Sequence, residues 1–177
     1  SLVGPVARGR GVDIDARRDL PYAAYDEMDF KVPVVNDGDV WGTLVVRILE
    51  IYESVSIIRQ VLKNLPEGPI LNELKDPITP LKHGISSVEA PRGESVHYVI
   101  TGDENKPERW RVRAPTYPNL QGIPAMLLNN ELADVPIIIG SIDPCFSCTD
   151  RVSVVDIKSG HAKVMNKAEF ETMSRKK

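Results

Sequence analysis

The chain has 177 residues and a mass of 19.6 kDa, enough for one domain with a real core. Apolar residues make up 42% and charged residues 27%, which is ordinary globular usage and excludes a disordered chain, a collagen repeat and a coiled coil. Twenty-two basic against 25 acidic residues leave a net charge of −3, so no basic excess exists to hold a phosphate backbone and no nucleic acid partner is expected.

Residues 1–35 read as an extended, turn-rich segment. Gly4-Pro5, Arg8-Gly9-Arg10-Gly11, Pro21 and Pro33 break any long helix. The charges Arg8, Arg10, Asp13, Asp15, Arg17, Arg18 and Asp19 fit a solvated loop or a partner-facing surface. The strongest helix follows. Trp41, Leu44, Val45, Ile48, Tyr52, Val55, Ile58, Leu62 and Leu65 recur at three and four residues. Asn36 or Asp37 is the expected cap, and Pro66 and Gly68 stop the run. The helix should be about 28 residues and about 42 Å long. A helix that long crosses a whole small domain, which points to a larger parent structure.

Pro66, Pro69, Pro77 and Pro80 mark a surface crossing. Ser95–Thr101 and Arg109–Arg113 alternate as the strands of an antiparallel hairpin with its turn over 102–107. The alternation places Arg109, Arg111 and Arg113 on one face, either wet or paired with acids. Leu120–Leu132 reads as a second helix capped by Asn119, and 134–142 is helix or buried strand. A small terminal hairpin is expected from 152–157 and 161–165, and the residues ending Arg175-Lys176-Lys177 should fray. The fold class is therefore α+β: one long helix, shorter helices and small antiparallel hairpins. No run approaches the roughly 20 apolar residues that span a bilayer, so a membrane role would come through partners.

Two segments could carry chemistry. In Asp143-Pro144-Cys145-Phe146-Ser147-Cys148-Thr149-Asp150-Arg151, two cysteines three positions apart can face one metal, and thiolate is the soft ligand that nickel, iron or zinc accepts. A redox pair and two buried structural thiols remain open readings, and a reducing compartment is expected. Only His83, His97 and His161 remain as further soft partners, and His97 receives no role. In Glu89-Ala90-Pro91-Arg92-Gly93-Glu94, a proline-stiffened turn presents a permanently charged donor fork, or an ordinary surface arginine.

Together these residues carry a family resemblance over nearly the whole chain. Gly4-Pro5-Val6-Ala7-Arg8-Gly9-Arg10-Gly11, Pro21-Tyr22, Tyr25-Asp26, Glu89-Ala90-Pro91-Arg92-Gly93, Arg109-Trp110-Arg111-Val112-Arg113, Asn119-Leu120-Gln121, Gly140-Ser141-Ile142-Asp143-Pro144-Cys145 and Cys148-Thr149-Asp150-Arg151 are the matching stretches. The chain resembles the C-terminal part of a nickel-iron hydrogenase large subunit, of the formate-hydrogenlyase and energy-converting membrane-bound group. It also resembles the related subunit of respiratory complex I, which has lost the cysteines. The resemblance implies that Cys145 is a terminal nickel thiolate that can accept a proton, and that Cys148 bridges nickel and iron in a centre carrying CN and CO ligands. Arg92 would donate to one cyanide beside Pro91, Thr116 would bond the other, and Asp143 would hold Arg92.

Several expectations follow from the same resemblance. The family's nickel site needs a second cysteine pair, which this chain lacks, so the chain is read as a fragment covering 1–151 of the catalytic domain, inactive and metal-free by itself. Residues 152–177 would be an extension cut by a maturation endopeptidase between Arg151 and Val152. Expected partners are the missing N-terminal half, an iron–sulfur small subunit and membrane subunits, with the whole on the cytoplasmic face of the membrane. Bared helix surface should favour self-association. The alternatives are a complex-I-like NADH–quinone oxidoreductase subunit without nickel, and a non-catalytic scaffold. No G-x-G-x-x-G follows a strand, so NAD contact has no support in these residues.

Overall fold

A computed structural model describes residues 2–71, 77–149, 153–155, 159–164 and 167–175. The N-terminal segment is not the extended loop expected. It folds into helix α1 (Pro5–Arg8), helix α2 (Ala16–Asp19) and a 3-10 turn over Tyr25–Glu27. Pro5 opens α1, where its missing N–H costs nothing. Asp15 caps α2 by accepting from the Arg17 amide at 2.9 Å.

Helix α3 (Val40–Asn64) has 25 residues and spans about 37 Å. Its cap is Asp39, whose side chain accepts from the Gly42 amide at 2.8 Å; Asn36 and Asp37 lie outside the helix. Most of its apolar stripe is exposed. Trp41, Ile51, Tyr52, Ile58 and Leu62 are exposed, and within the helix only Gly42, Thr43 and Val46 are buried. The buried end lies against α1: a Cβ on Gly9 would come within 2.7 Å of the Thr43 amide, so two backbones touch here.

The expected hairpin is present and belongs to a three-stranded antiparallel sheet in the order β1–β2–β3, with β1 His83–Ala90, β2 Gly93–Thr101 and β3 Pro107–Arg113. Strand β1 was not legible in the sequence. Gly84, Ser86 and Ser87 dilute its alternation, and half of it is exposed. The register sets Arg109, Arg111 and Arg113 opposite Ile100, Tyr98 and Val96, hence on one face. Ala90 pairs with Gly93, so Pro91 and Arg92 form the tight β1–β2 turn.

Helix α4 runs Thr116–Met126, four residues earlier than Asn119-capped spacing predicts. Asn119 is a buried interior residue and does not cap it. The ambiguous apolar run is helix α5 (Val135–Ser141), with Pro136 in its first turn. The core of this part gathers Val3, Val6, Ala7, Val46, Ile138 and Ile142 where α1, the start of α3 and α5 meet.

The chain divides into two compact units, Ser1–Cys145 and Phe146–Lys177. The second contains helix α6 (Phe146–Thr149), an antiparallel pair β4 (Ser153–Val155) and β5 (Ala162–Val164), and helix α7 (Lys167–Arg175). The terminal hairpin expected from the sequence is the β4–β5 pair. Helix α7 forms because Ala168, Glu169, Glu171 and Met173 favour helix with no glycine or proline among them, and Lys176 and Lys177 lie outside the described residues. Helices with an antiparallel sheet make the fold α+β. Among the described residues no helix is long and apolar enough to cross a membrane.

Candidate functional site

The β1–β2 turn is clamped in place before its arginine does anything. Asn119 is fully buried and accepts from the Val3 amide at 2.9 Å while donating to the Arg92 carbonyl at 3.2 Å. Gly4 and Gly93, with φ of 65° and 121°, let the two backbones meet. A Cβ on Gly93 would lie 2.6 Å from the Gly4 amide. Glycines at both positions are what allow the N-terminal strand of chain to seat the turn.

From that seat Arg92 reaches the segment before the cysteines. Its Nε donates to the Asp143 carbonyl, and its terminal nitrogen donates to Asp143 Oδ1 at 3.1 Å. Asp143 has φ of 52°, a left-handed turn conformation that aspartate tolerates, and its amide donates to the Gly140 carbonyl at 2.9 Å. Two residues on, the Cys145 amide donates to Thr116 Oγ1 at 3.2 Å. Thr116 is buried on the first turn of α4. The fold thus brings Arg92, Asp143, Cys145 and Thr116 together. Pro91 is exposed on the turn, and Cys148 stands on α6. Arg151 and Val152 lie outside the described residues.

A second arginine was missed. Arg47, on α3, donates to the Ser141 carbonyl at 3.3 Å and stands 3.8 Å from Asp143 Oδ2. Burial lowers its pKa, with the Asp143 charge opposing. In the sequence it is one more polar residue on an amphipathic helix, with no signal to single it out.

Behind the turn lies a buried ionic cluster. Arg8 is fully buried and donates to Glu89 Oε1 at 2.9 Å, to Glu50 Oε1 and to the Ile14 carbonyl at 2.9 Å, with Asp15 Oδ2 at 3.3 Å. Arg17 grips both oxygens of Asp15 at 2.9 and 2.6 Å, which raises its pKa further. Glu89 also accepts from the Ala16 amide at 3.1 Å. Its pKa is raised, by burial first and by the Asp15 charge second, against the pull of Arg8. Arg8 and Asp15 are therefore neither solvated loop nor partner surface. Arg8 folds inward because α3 and β1 supply Glu50 and Glu89 to meet it, while Asp13, Arg18 and Asp19 stay exposed.

The donor set for a metal is incomplete within this chain. Neither cysteine is free, both being disulfide-bonded. Reduced, they are two soft ligands at a spacing of three. Among the described residues no group of three or more His, Cys, Asp and Glu is arranged to hold a metal. His83 is engaged with the Tyr98 hydroxyl at 2.6 Å, and His97 accepts from Trp110 Nε1 at 3.2 Å. A nickel–iron centre fits these residues only as half of its ligand shell.

Comparison with known proteins bears on what this arrangement serves. The family model described as respiratory-chain NADH dehydrogenase, 49 Kd subunit, matches residues 1–87 and 74–151. The chain belongs to that family. It is 42% identical to formate hydrogenlyase subunit 5 of Escherichia coli over 174 residues, covering 98% of this chain and 30% of the relative. It is 40% identical to the membrane-bound hydrogenase subunit alpha of Pyrococcus furiosus, covering 99% and 44%. It is also 40% identical to an NADH-quinone oxidoreductase subunit of Dehalococcoides mccartyi strain 195, covering 85% and 41%. The chain thus spans less than half the length of these relatives. Membership makes it part of an oxidoreductase family, hydrogenase-like or complex-I-like.

Proposed function

We propose that the parent protein is the large subunit of a membrane-associated nickel-iron hydrogenase of the formate-hydrogenlyase type, interconverting H2 with protons and electrons. This chain supplies Cys145 and Cys148 as two of four thiolate ligands, the other pair coming from a preceding half. The observation that carries the reading is the retained cysteine pair, with Cys145 anchored to Thr116 beside the Arg92–Asp143 clamp. When bound, a nickel–iron centre with CN and CO ligands supplies the redox chemistry of H2.

The chain's own residues prepare its surroundings. Two of the five N–H donors of Arg92 are spent on Asp143, and the rest of the fork can bond an anionic cyanide. Asp143 fixes the direction of that fork, the work of an outer-sphere carboxylate. Once the disulfide is reduced, Cys145 Sγ would be the group that holds a proton. By the same reading, cleavage between Arg151 and Val152 releases the tail after metal loading. An iron–sulfur subunit takes the electrons, and membrane partners hold the assembly on the cytoplasmic face. The relative named as membrane-bound supports association with a membrane.

The second reading is a complex-I-like quinone subunit without nickel, favoured by the description of the matching family model. The cysteines discriminate, since quinone chemistry does not need them. Nickel and iron analysis of the full-length subunit, purified with its partners, tests this. About one nickel per chain, lost on Cys145→Ser or Cys148→Ser, is the expected result. An active complex with no nickel would move the protein to the second reading.

A further inference from the structure

We propose that the cleft behind the Arg92 turn is a water-filled proton conduit, and that Glu89 holds the proton in transit. The inference rests on the hydrogenase reading, whose reaction must move protons between its centre and solvent.

The cleft has a volume of about 410 Å³ and is lined by Glu50, Ser54, Glu89, Pro91, Arg17 and Arg47 among others. A polar cavity of that size holds several hydrogen-bonded waters. Two of its lining residues lie next to the site. Pro91 lines it and adjoins Arg92, and Arg47 lines it and stands 3.8 Å from Asp143 Oδ2.

The charge arrangement inside is uneven in a way that invites a proton. Asp15 has a guanidinium to itself, the bidentate Arg17. Three carboxylates, Glu50, Glu89 and Asp15, gather on the guanidinium of Arg8, with Arg17 and Arg47 also lining the cleft. Glu89, its side chain buried and crowded by neighbouring carboxylates, is disfavoured as a full anion, and an added proton relieves that crowding. Arg8 does not release its own proton, so it acts as a fixed positive post. The groups facing Glu89 are Arg8 from α1, Asp15, Arg17 and Asp19 from α2 and its cap, Arg47 and Glu50 from α3, and its cross-strand neighbour Glu94. The Tyr22 hydroxyl accepts from its backbone amide. The raised pKa of Glu89 agrees with this balance.

The step conserves atoms and moves no electron. A proton released on the Arg92 side passes to cleft water, adds to a carboxylate oxygen of Glu89, and leaves to bulk water; H2 formation runs the route backwards.

The test uses the complete, metal-loaded complex carrying Glu89→Gln or Glu89→Asp. Gln keeps the shape and an acceptor for Arg8 but cannot carry the proton. Hydrogen turnover should fall at least ten-fold in the Gln variant at unchanged nickel content, and the Asp variant should recover most of it. Added acetate, a small acid able to enter the cleft, should restore the Gln variant several-fold, which a merely structural defect would not allow. Infrared titration of the 177-residue chain supplies a readout that needs no metal. A carboxylic acid band persisting above the ordinary carboxylate range should vanish in Glu89→Gln. Full turnover in the Gln variant, a loss that acetate cannot restore, or no such band overturns the proposal. A wild-type complex without nickel or hydrogen turnover would instead remove the hydrogenase reading, and this inference with it.

Discussion

Replacing Arg8 with methionine isolates what the buried ionic cluster does for the fold. Arg8 is 1% exposed and holds Glu50 and Glu89, while Asp15 keeps Arg17. Methionine fills much of the volume but leaves two carboxylates without their shared partner. Removing one member of a buried charge group costs about 3–5 kcal/mol, because the remaining charge is stranded away from water. Against a total stability of about 5–15 kcal/mol, that leaves the unit marginal. The cost must depend on pH. Without Arg8 to oppose burial, the folded-state pKa of Glu89 rises further above its unfolded value. The native state then binds more protons in that window, so stability falls as pH climbs through it. Urea unfolding followed by far-ultraviolet circular dichroism should show a small penalty near pH 4.5 and the full penalty at pH 7.5. Adding Glu50→Gln and Glu89→Gln should return part of the loss at pH 7.5. A penalty below about 1 kcal/mol at pH 7.5, or an equal penalty at both pH values, would refute the reasoning.

Two further substitutions probe the clamp around Arg92 and the cysteine anchor. Asn119→Ala strands the Val3 amide and the Arg92 carbonyl, each costing about 1–3 kcal/mol when buried and unmet, so thermal unfolding should show a loss of about 2–4 kcal/mol; a neutral result would mean water replaces the amide. Thr116→Val keeps the side-chain shape and removes the acceptor of the Cys145 amide, which should cost about 1–2 kcal/mol. Hydrogen exchange at that amide should quicken, and an unchanged rate would show that Thr116 does not anchor Cys145.

Much of the site was legible because its chemistry lies in short motifs. The glutamate–proline–arginine turn and the cysteine segment are contiguous, so the residue types could be read directly. Helix α3 was equally visible, since a 3.6-residue period over 25 positions is a strong local signal. Strand β1 and the start of α4 were not, because strand pairing and the seat of Asn119 are set by partners distant in the chain.

The sequence by itself determined the α+β class, the long helix and the hairpin, since each depends on neighbours a few positions apart. Only the tertiary structure decided which charges are buried and whom they meet. Arg8 meets Glu89 across 81 positions and Glu50 across 42, Arg92 meets Asp143 across 51, and Arg47 meets Ser141 across 94. No local pattern encodes such pairings. They form because a charge taken out of water must find its opposite, and the backbone path alone determines which one is within reach.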